Sequence, residues 1–293
     1  MIDKLEMLLA LSRERHFGRA AESLGVSQPT LSAAIRSLES ALGVVLVRRG
    51  ARYEGLTPEG ERALLWARRI VADARALREE ARLARLGLTG TLRLAAIPTA
   101  LAFASRLSAA FTAAHPRARV AIASATSAAI LDGLDGLSVD AGISYLDEDA
   151  LGRASALPLY DESYALVVRD DHPLAARPRL AWSDLGGLDL CLLTPDMQNR
   201  RIVSGHLAEA GLTDPPRVET NSTIVLVAHV LAGPWATILP RGAAEVFLQG
   251  GPLRAVPLDA TTPHRVGLLA PRREPRLPLV AALLAEARKL AVR

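Results

Sequence analysis

Cysteine is nearly missing from this chain. Of 293 residues only Cys191 carries a thiol. That excludes an internal disulfide and any metal centre built on several thiolates. The usage suits a reducing compartment, so a cytoplasmic location is expected. Aromatic residues are also scarce, at 4%, so the cores must be packed from Ala, Leu, Val and Ile. Long hydrophobic runs are missing too. The most apolar stretch, residues 223–239, is interrupted by His229, Gly233 and Pro234, whereas a membrane helix needs about 20 apolar residues in a row. The opening MIDKLEMLL carries acids and leads to no cleavage site, so no signal peptide is expected.

Catalytic signatures are equally absent. There is no G-x-S-x-G, H-E-x-x-H, G-x-x-x-x-G-K-[ST] or G-x-G-x-x-G. The histidines at 16, 115, 172, 206, 229 and 264 are scattered, none with another four residues on. Cys191 lies inside the apolar run LDLCLL and reads as a buried structural thiol. No enzyme, cofactor or metal is therefore expected.

What is present is a globular chain, half apolar and 23% charged. Its length suits about two domains at roughly 150 residues each. The net charge of +4 is confined to one end. Residues 1–86 hold 15 basic and 11 acidic side chains, and the remainder holds 20 of each. A basic N-terminal module is what a nucleic-acid partner requires.

Residues 1–57 show three short helical patterns and a turn-rich basic loop. Leu5, Leu8, Leu9 and Leu11 form the first apolar stripe, and FGRAAESL is stopped by Gly25. Ser27 then caps SQPTLSAAIRSLESAL, whose Leu31, Ile35, Leu38 and Leu42 share a face, and Gly43 ends it. VVLVRR, GARYEG and LT read as a hairpin wing. Pro58 opens a helix without Gly or Pro from Glu61 to Leu86, about 39 Å long. Ala63, Ala67, Ile70, Ala74, Leu77, Ala81 and Ala84 follow a heptad seam, which predicts pairing with a second helix. The alternative is packing on its own domain. From Thr91 strands and helices alternate, which predicts a mostly parallel sheet flanked by helices. The strands are read at 91–97, 119–124, 141–145, 163–169, 189–193, 236–240 and 265–270.

The run HFGRAAESLGVSQPTLSAAIRSLESALGVVLVRR, a wing, and LTPEG opening a long helix resemble the winged helix–turn–helix of LysR-type transcriptional regulators. The resemblance continues through GLTGTLRLAAIPT, VDAGISYL and LVVRDDHPLA. It implies a mixed fold: an all-α winged helix–turn–helix domain (1–57), a linker helix (58–86), and a two-lobed α/β effector domain like a periplasmic binding protein (91–293). Lobe I is expected at 91–159 and 263–293, and lobe II at 160–262. Val47 and Ala33 depart from the family, which usually has Phe and often Arg there. A homo-oligomer is implied, a dimer or a dimer of dimers, with double-stranded operator DNA as partner and RNA polymerase as a further one.

In such a motif the second helix reads the major groove with its N-terminal residues. Those are Ser27, Gln28, Pro29, Thr30 and Ser32. Gln28 suits adenine, and Pro29 or Thr30 suits a thymine methyl. Arg36 is long enough for a phosphate or guanine. Arg48, Arg49 and Arg52 suit backbone or minor-groove contact, although Arg48 or Arg49 has Glu54 as an alternative partner. Dimerisation is assigned to Ile70, Ala74, Leu77 and Ala81.

A small anionic effector is expected beyond the carboxyl ends of the strands, at helix starts. Four turns supply candidates: Pro98 and Thr99; Thr126 and Ser127; Pro195, Met197, Gln198, Asn199 and Arg200; and Asn221 with Ser222. Ordinary helix capping uses the same residue types. Arg200 and Arg201 in a first turn make sense facing an anion, or Arg200 pairs with Asp196. LCLLTPDMQNRRI and LVAHVLAGPWATILP resemble segments of LysR-type regulators beside formate dehydrogenase operons, which implies formate or a related carboxylate. Two other classes stay open: a small-molecule-binding protein whose N-terminal helices serve assembly, and an α/β enzyme.

Overall fold

The computed structural model describes residues 1–49, 53–259 and 262–291. It divides into two compact units, one holding Met1–Gly87 and the other the bulk of the chain from Leu88 onward.

The first unit comprises α1 (Ile2–Glu14), α2 (Phe17–Ser23), α3 (Gln28–Leu42), β1 (Val47–Arg49), β2 (Tyr53–Leu56) and α4 (Pro58–Leu86). Local chemistry sets each boundary. His16 Nδ1 accepts from the backbone of Gly18 and Arg19 and so caps α2. Ser27 Oγ accepts from Thr30 N at 3.3 Å, and Gly43 stops α3 at φ 70°, a left-handed position suited to glycine. The SLE of α3 has a purpose: Glu39 Oε1 accepts from the backbone of Leu46 and Val47 and fixes the entry to the wing. In LTPEG, Leu56 is buried, Thr57 Oγ1 accepts from Gly60 N at 2.9 Å, and Pro58 takes the first helical position. Gly60 is required because a Cβ there would lie 2.0 Å from the Leu46 carbonyl oxygen.

The heptad seam is divided in two. Ala67 is fully buried in the core made by α1, α3 and the wing, together with Leu64 and Val71. Ile70, Leu77 and Ala81 are exposed, Ala74 is half-buried, and Trp66 joins the exposed stripe at 63% accessibility. Ala67 thus belongs to the helix's own domain, while the residues assigned to dimerisation remain on the open face.

The second unit contains β3 (Gly90–Ala96), α5 (Leu101–Ala114), β4 (Ala118–Ser124), α6 (Ser127–Asp135), β5 (Ala141–Tyr145), α7 (Glu148–Arg153) and β6 (Ala154–Glu162). It continues with β7 (Tyr164–Arg169), β8 (Cys191–Leu193), α8 (Gln198–Glu209), β9 (Val218–Thr220), α9 (Thr223–Ala232), β10 (Thr237–Pro240), α10 (Arg241–Ala244) and β11 (Leu253–Pro257). It closes with β12 (His264–Pro271) and α11 (Pro278–Ala291). Lobe I is the sheet β4-β3-β5-β12-β6, and lobe II carries β10-β7-β11 and β8-β9.

The mostly parallel expectation fails. Among the described strands, β3 pairs in parallel with β4 and β5, and β8 with β9, with isolated parallel bridges at Leu180–Leu258 and Leu190–Ala236. β12 runs against both β5 and β6, and β7 against both β10 and β11. The chain returns from lobe II through β12, which inserts between strands already laid down and runs the opposite way. Strands β6, β9 and β11 were not anticipated. β6 contains Pro158 and lies at the sheet edge, where proline is tolerated. The first crossing between lobes falls at Ser163, since β6 stays in lobe I to Glu162. The boundary expected at residue 159 is therefore moved.

Candidate functional site

The residues expected to read DNA lie on α3 and at its start. Leu31, Ile35 and Leu38 are buried, while Gln28, Pro29, Thr30 and Arg36 are exposed and Ser32 is half-buried. Neither Gln28 nor Arg36 has a side-chain partner among the described residues. Ser27 is the helix cap, and its hydroxyl pairs with that of Thr30 at 2.8 Å. Ser27 is therefore first a structural residue. Arg48 is exposed on the wing. Arg52 and the side chain of Arg49 lie outside the described residues.

In the second unit, the four expected turns fall where expected, after β3, β4, β8 and β9. Two hydrogen bonds bring the start of α8 in lobe II to the carboxyl end of β5 in lobe I. Gln198 Nε2 donates to Asp147 Oδ2 at 3.0 Å, and Asn199 Nδ2 donates to the Tyr145 hydroxyl at 3.2 Å. Ser127 Oγ, Thr194 Oγ1 and Gln198 Oε1 are buried atoms without a partner. Helices α8 and α9 start without a side-chain cap, so their first N–H groups are free to meet an acceptor.

Several expected contacts are used otherwise. Thr126 Oγ1 accepts from Ala129 N and caps α6. Met197 is buried with Cys191 and Leu193 in a lobe II core. Arg200 does not pair with Asp196. Its Nη1 donates to Glu219 Oε1 at 2.6 Å and to the Leu193 carbonyl, and its side chain is 13% exposed. A half-buried guanidinium in a first turn is thus compensated by β9. Arg201 donates to the carbonyls of Pro195 and Asp196. Pro195 and Asn221 are exposed and Ser222 is half-buried, while Pro98 and Thr99 are buried.

Sequence reading missed the residue at the first crossing. Glu162 ends β6 and is buried. Its Oε2 accepts from the hydroxyls of Tyr145 at 2.6 Å and Tyr164 at 3.2 Å, whereas Oε1 has no partner. Burial pushes its carboxyl up to about 7, against the tyrosine hydroxyls and Thr99, which favour the anion. Burial and the neighbouring carboxylate raise Tyr145 and Tyr164 in turn. The only hint was an acid closing an apolar–polar alternation in LPLYDES.

Cys191 is fully buried, and burial pushes its thiol up to about 11. Among the described residues, no group of three or more His, Cys, Asp or Glu is placed to hold a metal ion, and no helix is long and apolar enough to cross a membrane.

Two family models match: the bacterial regulatory helix-turn-helix protein of the lysR family over residues 2–61, and the LysR substrate binding domain over residues 85–291. A "Hydrogen peroxide-inducible genes activator" from Dickeya chrysanthemi is 33% identical over 240 residues, 82% of this chain and 78% of that protein. A full-length OxyR cysteine-to-aspartate variant from Pseudomonas aeruginosa superposes with a TM-score of 0.74 at 27% identity, covering 98% of this chain and 94% of the other. A cysteine-to-serine OxyR variant from Corynebacterium glutamicum with hydrogen peroxide bound gives 0.58 at 27% identity, covering 100% and 95%. The expected likeness to regulators beside formate dehydrogenase operons finds no support in these relatives, which are named for hydrogen peroxide. With a helix–turn–helix model at one end, an effector-domain model over most of the rest, and a fold shared along the whole length, the chain belongs to the LysR family of transcriptional regulators.

Proposed function

We propose that the chain binds an operator as a dimer and that a small anionic metabolite between the lobes of its effector domain adjusts that binding. The observation that carries the DNA assignment is α3. It is anchored by Leu31, Ile35 and Leu38 and presents Gln28 and Arg36 to solvent without partners. A side chain with no internal work and a fixed backbone is ready to read a base edge. Pairing is assigned to the open stripe of α4, Trp66, Ile70, Leu77 and Ala81, and likeness to the family supports further assembly into a dimer of dimers. RNA polymerase is the natural further contact of such a regulator. The test is a mobility shift with the intergenic DNA upstream of the gene. Gln28→Ala should cost about 1–3 kcal/mol at the cognate site and relax one base position. Arg48→Ala should weaken all sequences alike and flatten the salt dependence. Equal loss on cognate and random DNA for both variants refutes these roles.

The effector reading rests on Ser127, Thr194 and Gln198, which hold unpartnered polar atoms, and on the uncapped starts of α8 and α9. Such a setting supplies N–H and O–H donors but no free guanidinium, since Arg200 is engaged by Glu219. It suits a small carboxylate such as formate. A second reading is hydrogen peroxide, favoured by the relatives' names. Peroxide would act here as a hydrogen-bonded ligand, because Cys191 is buried and its thiol is held protonated. Titration of the full chain with formate, acetate and hydrogen peroxide separates the two. Ser127→Ala and Thr194→Val should each weaken the true effector about tenfold or more. If none of these ligands binds saturably, the assignment of a small anion fails while the regulator stands.

A further inference from the structure

A cavity of about 490 Å³ opens in the effector domain beside the first crossing between lobes. Its walls come from α5, β6 and α10. Four features of its lining are unusual together. Glu162, 8% exposed, leaves Oε1 without a partner. Thr99, 3% exposed, leaves Oγ1 without a hydrogen bond of good geometry although it lies beside Glu162. The rings of Phe103 and Tyr160 stand 5.3 Å apart and form an aromatic wall. Arg106 and Arg241 also line the cavity, and neither guanidinium has a carboxylate partner among the described residues.

Each feature asks for something different. A buried carboxylate oxygen with no donor asks for an N–H or O–H group, and best for a cation. Two guanidiniums without a carboxylate, that of Arg106 lying 5.5 Å from the centroid of the Phe103 ring, ask for one. An aromatic wall asks for apolar surface. The other acids at the cavity do not change this demand. Asp161 is held by Arg265 through two bonds of 2.8 and 3.2 Å, and Glu245 is exposed at the rim. A volume of this size lies within the usual range of small-molecule sites.

We propose that this cavity is a second ligand site, and that it takes a zwitterionic amino carboxylic acid with an apolar body. The ammonium donates to Glu162 Oε1 and Thr99 Oγ1. The carboxylate meets Arg106 and Arg241, and the apolar body covers Phe103 and Tyr160. The site is separate from the turns at Ser127, Thr194 and Gln198, so it does not depend on the effector reading above.

Calorimetric titration of the full chain tests this with two probes of different charge separation, L-phenylalanine and para-aminomethylbenzoate. At least one should bind saturably. The matching ligands that lack one charge, phenethylamine and hydrocinnamate for the first, benzylamine and para-toluate for the second, should each bind about tenfold or more weakly. Glu162→Gln should weaken the zwitterion and leave the acid analogue unchanged. Arg241→Ala and Arg106→Ala, both at exposed positions, should weaken the zwitterion and leave the amine analogue unchanged. The arginine variants keep the test open if Glu162→Gln disturbs folding. No saturable binding by either zwitterion at about 10 mM overturns the proposal. So does an acid or amine analogue that binds as tightly as its parent. Binding abolished by Gln198→Ala and untouched by Arg241→Ala places the ligand at the turns around Gln198 instead, and overturns it too.

Discussion

Replacing Glu162 by Gln should remove a pH dependence of stability that is built into the effector domain. Burial raises the Glu162 carboxyl from 4.5 to about 7. Below about pH 4.5 the group is protonated in folded and unfolded chains alike. Between 4.5 and 7 the unfolded chain gives up the proton and the folded chain keeps it. The unfolded state then binds fewer protons, so stability falls as pH rises and the loss is complete above the folded value. A shift of about 2.5 units at 1.36 kcal/mol each corresponds to about 3 kcal/mol. The groups facing Glu162 are Tyr145, Tyr160, Tyr164 and Thr99, with His264 opposite it in the β6–β12 ladder. None of the tyrosines titrates in this window. Burial and the nearby His206 lower His264, so it contributes in the opposite sense. Its effect is lost as pH falls below the ordinary histidine range.

The difference between wild type and Glu162→Gln cancels His264. Gln keeps an acceptor for the hydroxyls of Tyr145 and Tyr164 and has no proton to lose. Urea unfolding at pH 5 and pH 8, followed by tryptophan fluorescence, is the assay, since Trp182 packs 6.1 Å from Tyr164. At pH 5, just inside this window, the two proteins should differ by less than about 1 kcal/mol. At pH 8 the variant should be more stable by about 3 kcal/mol. Parallel stability curves across this range would show that Glu162 is ionised in the folded chain at low pH, and would refute the burial argument.

Three further outcomes follow from the packing. Gly60→Ala should destabilise the first unit by about 3 kcal/mol, because its Cβ would meet the Leu46 carbonyl carbon at 2.9 Å and the oxygen closer still; thermal melting checks this, and an unchanged midpoint would mean that the wing entry yields freely. Leu77→Glu changes a side chain that is 73% exposed, so the monomer fold should survive within about 0.5 kcal/mol while light scattering reports loss of the dimer. An intact dimer would assign the open face of α4 to something else. Cys191→Ala should leave any peroxide response of operator binding in place, since the buried thiol is a poor nucleophile; abolition of that response in a folded variant would make Cys191 the sensor.

Much of the first unit was legible because its rules are local. Ser27 and Gly43 bracket α3 within its own sequence, and LTPEG holds its cap, its first-turn proline and its close-packed glycine within five residues. The heptad seam was legible as a spacing but not as a direction. Only the presence of α1 shows that Ala67 faces inward and Ile70 outward. Arg200 shows the same limit more sharply. Sequence offers Asp196 four residues away, whereas the chain supplies Glu219 from β9, nineteen residues on. Non-local partners of this kind leave no periodic trace.

Glu162 is where local consistency breaks and where the chemistry of the domain gathers. A fold selected only for stability would place Gln or an apolar residue at the end of β6, since a lone carboxylate oxygen away from water is costly. Here the acid has two tyrosine donors on one oxygen and Thr99 beside it, and its side chain lines a cavity with two guanidiniums that have no carboxylate partner among the described residues. Its neighbour Ser163 is where the chain passes from one lobe to the other. Tyr145 also receives Asn199 from the start of α8, so the same hydroxyl joins Glu162 to the opposite lobe. A donor that reaches Glu162 Oε1 therefore acts on a group bonded to both lobes. Local rules broken without local compensation tend to mark functional sites, and this one lies beside the first of the two crossings between the lobes.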